Sequence, residues 1–208
     1  IKGISYIITE HWSRYLPIRN EFHGFWRKFI SRIAVRNAST VTTVTKNLAQ
    51  AMKAHGLNND NYVVLPNVVD VNLFRPVKKP ESHKKRIIHI SCFEDRSKNI
   101  SGLLRVFAQL SQKRNDFECV MIGEGMDLLR LEKYANKLGL DENTIQFTGL
   151  LHGNSLATTL ASGDLLVLFS NFENMPVVIL EAFACGLPVI SSNVGGIPEI
   201  INSENGIL

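Results

Sequence analysis

The chain has 208 residues, of which 45% are hydrophobic and 20% are charged, as in an ordinary globular protein. The formal net charge of +4 is uneven, because residues 1–56 carry nine Lys/Arg and two Glu, 9 − 2 = +7, and the remainder carries 14 − 17 = −3. These values exclude fibrous and disordered proteins, and no apolar run reaches the roughly 18 residues that a membrane-spanning helix needs. The basic first quarter favours an anionic partner, either phosphate-bearing or a membrane surface, whereas without an RNA-stacking signature nucleic acid is not expected.

Hydrophobic periodicity predicts strands alternating with helices along the chain. The predicted strands cover residues 5–9, 40–45, 62–65, 86–92, 117–122, 144–147 and 164–170. The predicted helices cover residues 22–35, 46–55, 100–113, 127–138 and 155–161, and a last one begins at Pro176 and stops at Gly186. This alternation predicts an α/β fold with a Rossmann-like parallel sheet, helices on both faces, and all strand carboxyl ends on one rim.

Residues 66–85 interrupt this pattern, since they contain three prolines and a basic pair with little apolar periodicity. We predict a junction there, which separates a first domain at residues 1–65 from a second at residues 86–208. The chain begins without Met and ends in an apolar run barely started, which indicates a piece of a longer protein. Cys92, Cys119 and Cys185 form no C-x-x-C pair, so we expect free thiols in a cytoplasmic protein.

The strand, turn and helix at residues 164–190 carry two spaced carboxylates. Glu173 falls in the turn at the carboxyl end of the strand, and Glu181 lies about a turn and a half into the helix. Open α/β sheets bind ligands at this edge, where free amides of a helix start also attract anions. The stretch therefore indicates a sugar-nucleotide site.

Two motifs resemble those of the retaining, nucleotide-sugar-dependent glycosyltransferases of family 4, which have the two-domain GT-B fold. The first is Asn67-Val68-Val69-Asp70 followed by Phe74-Arg75-Pro76, in which Val68 replaces the family's Gly. The second is the pair Glu173 and Glu181 followed by Ala182, Ala184, Gly186, Pro188 and Val189. Residues 60–208 carry the resemblance well, and residues 1–56 carry it more loosely.

The resemblance implies that residues 86–208 are a truncated donor-binding domain and that residues 1–65 end the acceptor-side domain. It implies transfer from a nucleotide-diphosphate sugar to a glycan or lipid-linked acceptor in polysaccharide or glycolipid biosynthesis, without cofactor or metal. As a fragment, the chain is expected to bind a donor without transferring sugar. The catalytic residues implied are Glu173, against the sugar, and Lys98, at the diphosphate. The implied donor contacts are Glu181 at the ribose, Asn174, Met175, Pro176, Val177, Arg96, Gly195, Gly196 and Phe147.

One departure concerns the phosphate site, where Cys92-Phe93-Glu94 stands in place of the family's Gly-Arg-Leu. Arg96 is a candidate replacement for the missing Arg. Alternatively, Lys98, Arg96 and both glutamates are solvated surface charges, and the chain is a non-catalytic nucleotide- or glycan-binding module. A GT-B sugar-nucleotide epimerase is the other alternative.

Two features of the basic first quarter also allow two interpretations. The helix around residues 25–30 either lies on the inner face of a membrane as a peripheral contact or packs against another domain. His11, at a predicted strand end, is expected to be a structural histidine.

Overall fold

The computed structural model describes residues 3–19, 21–79 and 81–208, which form two compact units. The first unit contains the chain up to Asn67 and two later segments, residues 172–175 and 193–200. The second unit contains residues 68–171, 176–192 and 201–208. The first unit thus ends close to the start of the predicted junction, but it also includes eight-residue and four-residue segments that we assigned to the second domain.

The first unit is built on a three-stranded parallel sheet in the order β1-β2-β3. Its elements are β1 (Ile7–Glu10), α1 (Phe25–Asn37), β2 (Thr40–Thr43), α2 (Lys46–Ala54) and β3 (Tyr62–Val64), with a short 3-10 helix at Ser13–Tyr15. The core is apolar because α2 buries Leu48 and Met52 on the face where Val41 of β2 is also fully buried. Thr45 begins α2, since its hydroxyl accepts a hydrogen bond from the Leu48 amide at 3.1 Å.

The second unit contains a six-stranded parallel sheet in the order β6-β5-β4-β7-β8-β9. Its strands are β4 (Lys85–Ile90), β5 (Phe117–Ile122), β6 (Ile145–Gly149), β7 (Leu165–Leu168), β8 (Val189–Ser191) and β9 (Gly206–Ile207). Its helices are α3 (Asp95–Lys98), α4 (Ile100–Ser111), α5 (Leu128–Lys137), α6 (Gly153–Ala161) and α7 (Val177–Ala184), and a 3-10 turn at Ile197–Glu199 belongs to the first unit.

Two helix layers cover this sheet. Helix α4 packs beside α5, and α6 packs beside α7, as right-handed crossovers on opposite sides of the starting strand require. The first layer encloses a core in which Phe93, Ile100, Leu104, Met121 and Leu131 are fully buried. The predicted fold class, a parallel α/β sheet with helices on both faces, is confirmed.

The strand order reverses between β4 and β7, because the chain moves outward through β5 and β6 and then returns to the other side of β4. In open α/β sheets this reversal opens a crevice at the carboxyl ends of the two strands, where ligands bind. The residues that follow β4 and β7 therefore form the candidate ligand-binding edge of the second unit. No described helix is both long and apolar enough to cross a membrane.

Candidate functional site

The segment of residues 172–175 is held in the first unit by the side chain of Asn174, which is only 8% exposed. Its Oδ1 accepts a hydrogen bond from the Thr45 hydroxyl at 2.9 Å, and its Nδ2 donates to the His11 carbonyl at 2.8 Å. The guanidinium of Arg19 lies 4.5 Å from the centre of the Phe172 ring. Glu173 therefore sits on a segment that is anchored on both sides.

Met175 and Asn67 complete the anchoring of this segment. The Met175 carbonyl accepts a hydrogen bond from Asn67 Nδ2 at 3.0 Å, and the Met175 side chain is buried. The Asn that leads the first family-like motif thus has a structural role. Asn174 and Met175 are both predicted donor contacts through their amides, and their side chains are occupied within the first unit, which leaves only the main-chain groups of these two residues for a ligand.

Gly195 and Gly196 pack directly against the same segment. Gly195 has φ +58°, and a Cβ there would overlap the Glu173 carbonyl oxygen. A Cβ on Gly196 would overlap both Thr45 and the Asn174 carbonyl. We expected both glycines to offer amides to a diphosphate, but the Gly196 amide already donates to the Asn174 carbonyl at 3.0 Å. These glycines are required for close packing of the backbone.

In the second unit, Glu181 lies on α7 with a half-buried carboxyl group. Burial raises the pKa of Glu181 above its ordinary value. Within residues 3–19, 21–79 and 81–208, the carboxylate makes no hydrogen bond or ion pair. Burial has removed part of the hydration of this carboxylate and no described protein group replaces it, so the carboxylate is suited to accept hydrogen bonds from a ligand.

The amino end of α7 offers free main-chain amides, which are suited to bind an anion. We predicted that the helix begins at Pro176, but it begins at Val177 and Pro176 is its N-cap residue. The side chain of Pro176 cannot accept a hydrogen bond from the first amides of the helix. The amides of Val177 and Val178 therefore have no acceptor in the part of the chain that the structure describes. Gly186, with φ +77°, ends the helix as predicted.

The segment after β4 forms the short helix α3, which the periodicity did not predict. Asn171, three residues after β7, donates from its amide to the Ser97 carbonyl at 2.8 Å and from Nδ2 to the Arg96 carbonyl at 2.9 Å. The loops after β4 and β7 are thus joined where the strand order reverses. Arg96 and Lys98 lie on this joined segment, at the rim where a ligand is expected.

The two cations of α3 differ in their surroundings. The guanidinium of Arg96 is exposed and makes no hydrogen bond or ion pair among the described residues. Lys98 is half-buried, and its charge helps to lower the pKa of the nearby His89. Both side chains therefore remain candidates for binding a diphosphate.

A network of charges holds α3 against the loop after β5. Arg130 donates to Asp95 Oδ2 and to Asp127 Oδ1, both at 2.9 Å, and Asp127 Oδ2 accepts from the Asp95 amide at 2.9 Å. The Ser101 amide and then Arg130 lower the pKa of Asp95, and the Asp95 amide and then Arg130 lower the pKa of Asp127. The network fixes the segment that carries Arg96 and Lys98.

Phe93 occupies the place of the family's phosphate-binding Arg, and it is fully buried in the core. Its ring meets Phe147 edge-on at 6.0 Å. Phe147, predicted as a donor contact, is partly buried against the same core. Its side chain therefore serves packing, and only main-chain groups at the end of β6 remain for a nucleobase.

Sequence reasoning missed His89, which lies on β4 beside the reversal point and is 1% exposed. Its Nδ1 lies 2.9 Å from the Val167 carbonyl, to which it must donate, so Nε2 accepts from the Ser91 hydroxyl at 2.7 Å. Burial lowers the pKa of His89 to about 4, and Lys98 contributes. A histidine within an apolar strand pattern is the only sequence signal for it.

His11 differs from the structural histidine that we expected. It follows β1, its imidazole is exposed, and the ring makes no hydrogen bond within the described ranges. Only its main-chain amide and carbonyl are bonded, to Glu10 and to Asn174. The imidazole is therefore free to contact a ligand. As for metals, no group of three or more His, Cys, Asp or Glu among the described residues is placed to hold an ion.

Comparison with known proteins shows the family to which the chain belongs. The family model described as glycosyl transferases group 1 matches residues 70–208. The chain belongs to this family. It is 28% identical over 186 residues to N-acetyl-alpha-D-glucosaminyl L-malate synthase of Bacillus anthracis, with 85% of this chain and 48% of the relative covered. It is 32% identical over 152 residues to one subunit of the phosphatidylinositol N-acetylglucosaminyltransferase of Homo sapiens, with 73% and 31% covered.

Solved structures share the fold. Sucrose-phosphate synthase of Thermosynechococcus elongatus matches with a TM-score of 0.83 at 21% identity, covering 99% of this chain and 55% of that one. Anabaena HepE, in complex with UDP and glucose, matches with a TM-score of 0.76 at 22% identity, covering 96% and 56%. The resemblance to glycosyltransferases stated from the motifs is confirmed at the level of the family. The chain spans about half of the first curated relative's length, and less of the second.

Proposed function

We propose that this chain carries the donor-binding part of a retaining glycosyltransferase that uses a nucleotide-diphosphate sugar. The observation that carries the proposal is Glu181, a half-buried carboxylate with a raised pKa and without hydrogen bond or ion pair among the residues described. A carboxylate accepts two hydroxyl hydrogen bonds with charge assistance, as a ribose requires. The HepE complexes with UDP support a nucleoside diphosphate as the ligand class.

In the proposed reaction, the protein stabilises the leaving diphosphate and orients the sugar. Lys98, Arg96 and the free amides of Val177 and Val178 supply positive charge and oriented donors for the diphosphate. Because these groups offset the phosphate charge, the proposal includes no metal and no cofactor. Glu173 lies against the sugar, whose anomeric carbon loses the nucleoside diphosphate and bonds to the acceptor oxygen on the same face, so that the configuration is retained. The proton of the acceptor hydroxyl passes to the departing phosphate oxygen. The proposed acceptor is a glycan or a lipid-linked acceptor of polysaccharide or glycolipid biosynthesis.

We also propose that the exposed imidazole of His11 contacts the bound sugar. Its main-chain carbonyl accepts a hydrogen bond from the side chain of Asn174, the residue that follows Glu173. In the full-length protein, His11→Ala is expected to lower kcat at least about tenfold, the scale of one positioned polar group, while nucleoside diphosphate affinity stays the same. An unchanged kcat would show that the His11 imidazole does not contact the sugar. His152→Ala, at an exposed position before α6, is the control.

Isothermal titration calorimetry with a panel of nucleoside diphosphates and their sugars tests the donor site. One nucleotide should bind, and Glu181→Gln should weaken that binding by about 10- to 100-fold, the equivalent of losing about 1.5–3 kcal/mol of hydrogen bonding to a charged group. Glu204→Gln, an exposed acid near the end of the chain, should leave the affinity unchanged. Binding of no nucleotide would refute the proposal.

A non-catalytic binding module is the second candidate, because Phe93 and Glu94 replace the family's Arg and Leu at the phosphate site. An epimerase is the third, and it would consume the nucleotide sugar without an acceptor. Product analysis with and without an acceptor separates the three. Sugar transfer supports the proposal, acceptor-independent conversion supports the epimerase, and binding without turnover by the full-length protein supports the module.

We further propose that α1 makes peripheral contact with an anionic membrane surface at the cytoplasmic face. Five of its large apolar side chains have exposed fractions between 48% and 75%: Phe25, Trp26, Phe29, Ile30 and Ile33. At 100° per residue they form one stripe, with Arg27 beyond one edge, Arg32 beyond the other and Arg36 within it. An apolar stripe with flanking Arg is typical of helices that lie in a lipid interface.

Vesicle co-sedimentation tests this contact. The protein should bind vesicles rich in phosphatidylglycerol and not vesicles of phosphatidylcholine alone, and Trp26→Ser with Phe29→Ser should abolish the binding. Leu129→Ser, which removes an exposed apolar side chain from α5, should have no effect. If binding is absent in the unmodified protein, the alternative, in which α1 packs against protein, is supported.

A further inference from the structure

We propose that Asn174 is a positioning residue, which fixes the main chain next to Glu173 on the carboxyl ends of β1 and β2. The inference rests on the proposed function, since Glu173 is the carboxylate assigned to the sugar. It assigns to the Asn174 side chain a structural task within the first unit, in place of direct contact with the donor.

The hydrogen bonds of the Asn174 amide define its orientation. Nδ2 donates to the His11 carbonyl, just after β1, at 2.8 Å. Oδ1 accepts from the Thr45 hydroxyl, just after β2, at 2.9 Å. A flipped amide would place a donor against Thr45 and an acceptor against a carbonyl. The arrangement observed is therefore the one that satisfies both partners.

The Thr45 hydroxyl is fixed in the same way. It accepts from the Leu48 amide at 3.1 Å as the N-cap of α2, so its proton is directed to Asn174. Thr45 is 1% exposed and Asn174 is 8% exposed, which keeps water from replacing these bonds. One buried chain of hydrogen bonds thus connects the start of α2, Thr45, Asn174 and the end of β1.

The main chain on both sides of Glu173 is restrained as well. The Asn174 carbonyl accepts from the Gly196 amide at 3.0 Å, and Gly195 approaches the Glu173 carbonyl so closely that a Cβ would not fit. Loss of the Asn174 side chain would remove the two bonds to the strand ends and leave the glycine contacts in place. The expected effect is an altered position of Glu173 in a folded protein, because a misplacement of about 1 Å costs about 100-fold in rate.

The test uses steady-state kinetics of the full-length protein with the nucleotide sugar found by calorimetry. Asn174→Ala should lower kcat about 10- to 100-fold, while the affinity for the free nucleoside diphosphate changes less than about threefold. Asn174→Asp should be equally impaired, because its second oxygen would face the His11 carbonyl without a proton to donate. Asn143→Ala, at an exposed Asn before β6, is the matched control and should retain the normal kcat.

A second pair of variants tests the same bond from the other side. Thr45→Val removes the hydroxyl with little change of shape and should lower kcat, whereas Thr45→Ser keeps the hydroxyl and should restore most of it. Normal kcat in Asn174→Ala would overturn the inference. Parallel loss of kcat, nucleotide affinity and melting temperature would also overturn it, in favour of a purely structural role. If the unmodified protein binds no nucleotide, the proposed function has failed instead.

Discussion

At position 195 the absence of a single methyl group allows two backbone segments to touch. We expect Gly195→Ala to cost at least about 3 kcal/mol of unfolding free energy, because the new Cβ would overlap the Glu173 carbonyl and the residue keeps a positive φ. Gly139→Ala is the control, since Gly139 also has a positive φ but nothing lies within 4 Å of its Cβ position. It should cost only about 1–2 kcal/mol. Urea denaturation measures both, and equal losses would contradict the close approach.

The buried imidazole of His89 makes stability depend on pH. Its folded pKa of about 4 lies below its ordinary value of 6.5, so the folded state favours the neutral ring. Stability is therefore complete above pH 6.5, falls as the pH decreases from 6.5 towards 4, and is lower by about 3 kcal/mol below that range.

Urea midpoints between pH 7 and pH 4 measure this dependence. His89→Asn should flatten the curve, whereas His152→Asn, at an exposed site, should not change it. An NMR titration of the unmodified protein gives a second measurement. A midpoint for His89 near its ordinary value would contradict the predicted dependence.

At the scale of elements, the first amides of α2 are capped by a carboxylate that is distant in the sequence. The Glu199 carboxylate accepts hydrogen bonds from the amides of Lys46 at 2.8 Å and Asn47 at 2.7 Å. Glu199→Gln leaves only one acceptor oxygen and removes the charge at the helix start, so it should cost about 1 kcal/mol in thermal or urea unfolding. Glu204→Gln should cost nothing measurable, and a similar loss in both variants would speak against the cap.

The regular elements could be predicted from sequence because each has enough residues to show its apolar period. The strand Phe117–Ile122 was predicted at its observed bounds, and α4 and α5 were predicted within two residues at each end. The short helix α3 was missed, since four residues are too few to show a helical period. The two-residue strand β9 was missed for the same reason.

The candidate site was predictable only in part. The position of Glu181, within a helix that follows a strand, is a matter of spacing along the chain and was predicted correctly. The structural use of Asn174, Met175 and Gly196 depends on partners more than 20 residues away, which spacing does not reveal. The burial of Phe93 likewise depends on the core that surrounds it.

At the scale of the molecule, the chain contributes to its first unit in three separate stretches. Residues 68–208, expressed alone, should keep the six-stranded sheet but lose Thr45, His11 and α2 as partners for residues 172–175 and 193–200. Hydrogen exchange should then be much faster at the Gly196 amide than in the whole chain, while the Ile88 amide in β4 stays protected. Unchanged protection of Gly196 would show that these segments hold their structure without the first unit.

The division of the chain also matters for protein engineering. A chimera that exchanges the second unit between two homologues at a single crossover near residue 67 would carry two foreign segments into the first unit. Residues 172–175 and 193–200 would then meet a Thr45, a His11 and a helix start from the other parent. A productive exchange should keep these segments from the parent that provides residues 1–67, so that the second unit is exchanged while the contacts that hold residues 172–175 stay matched.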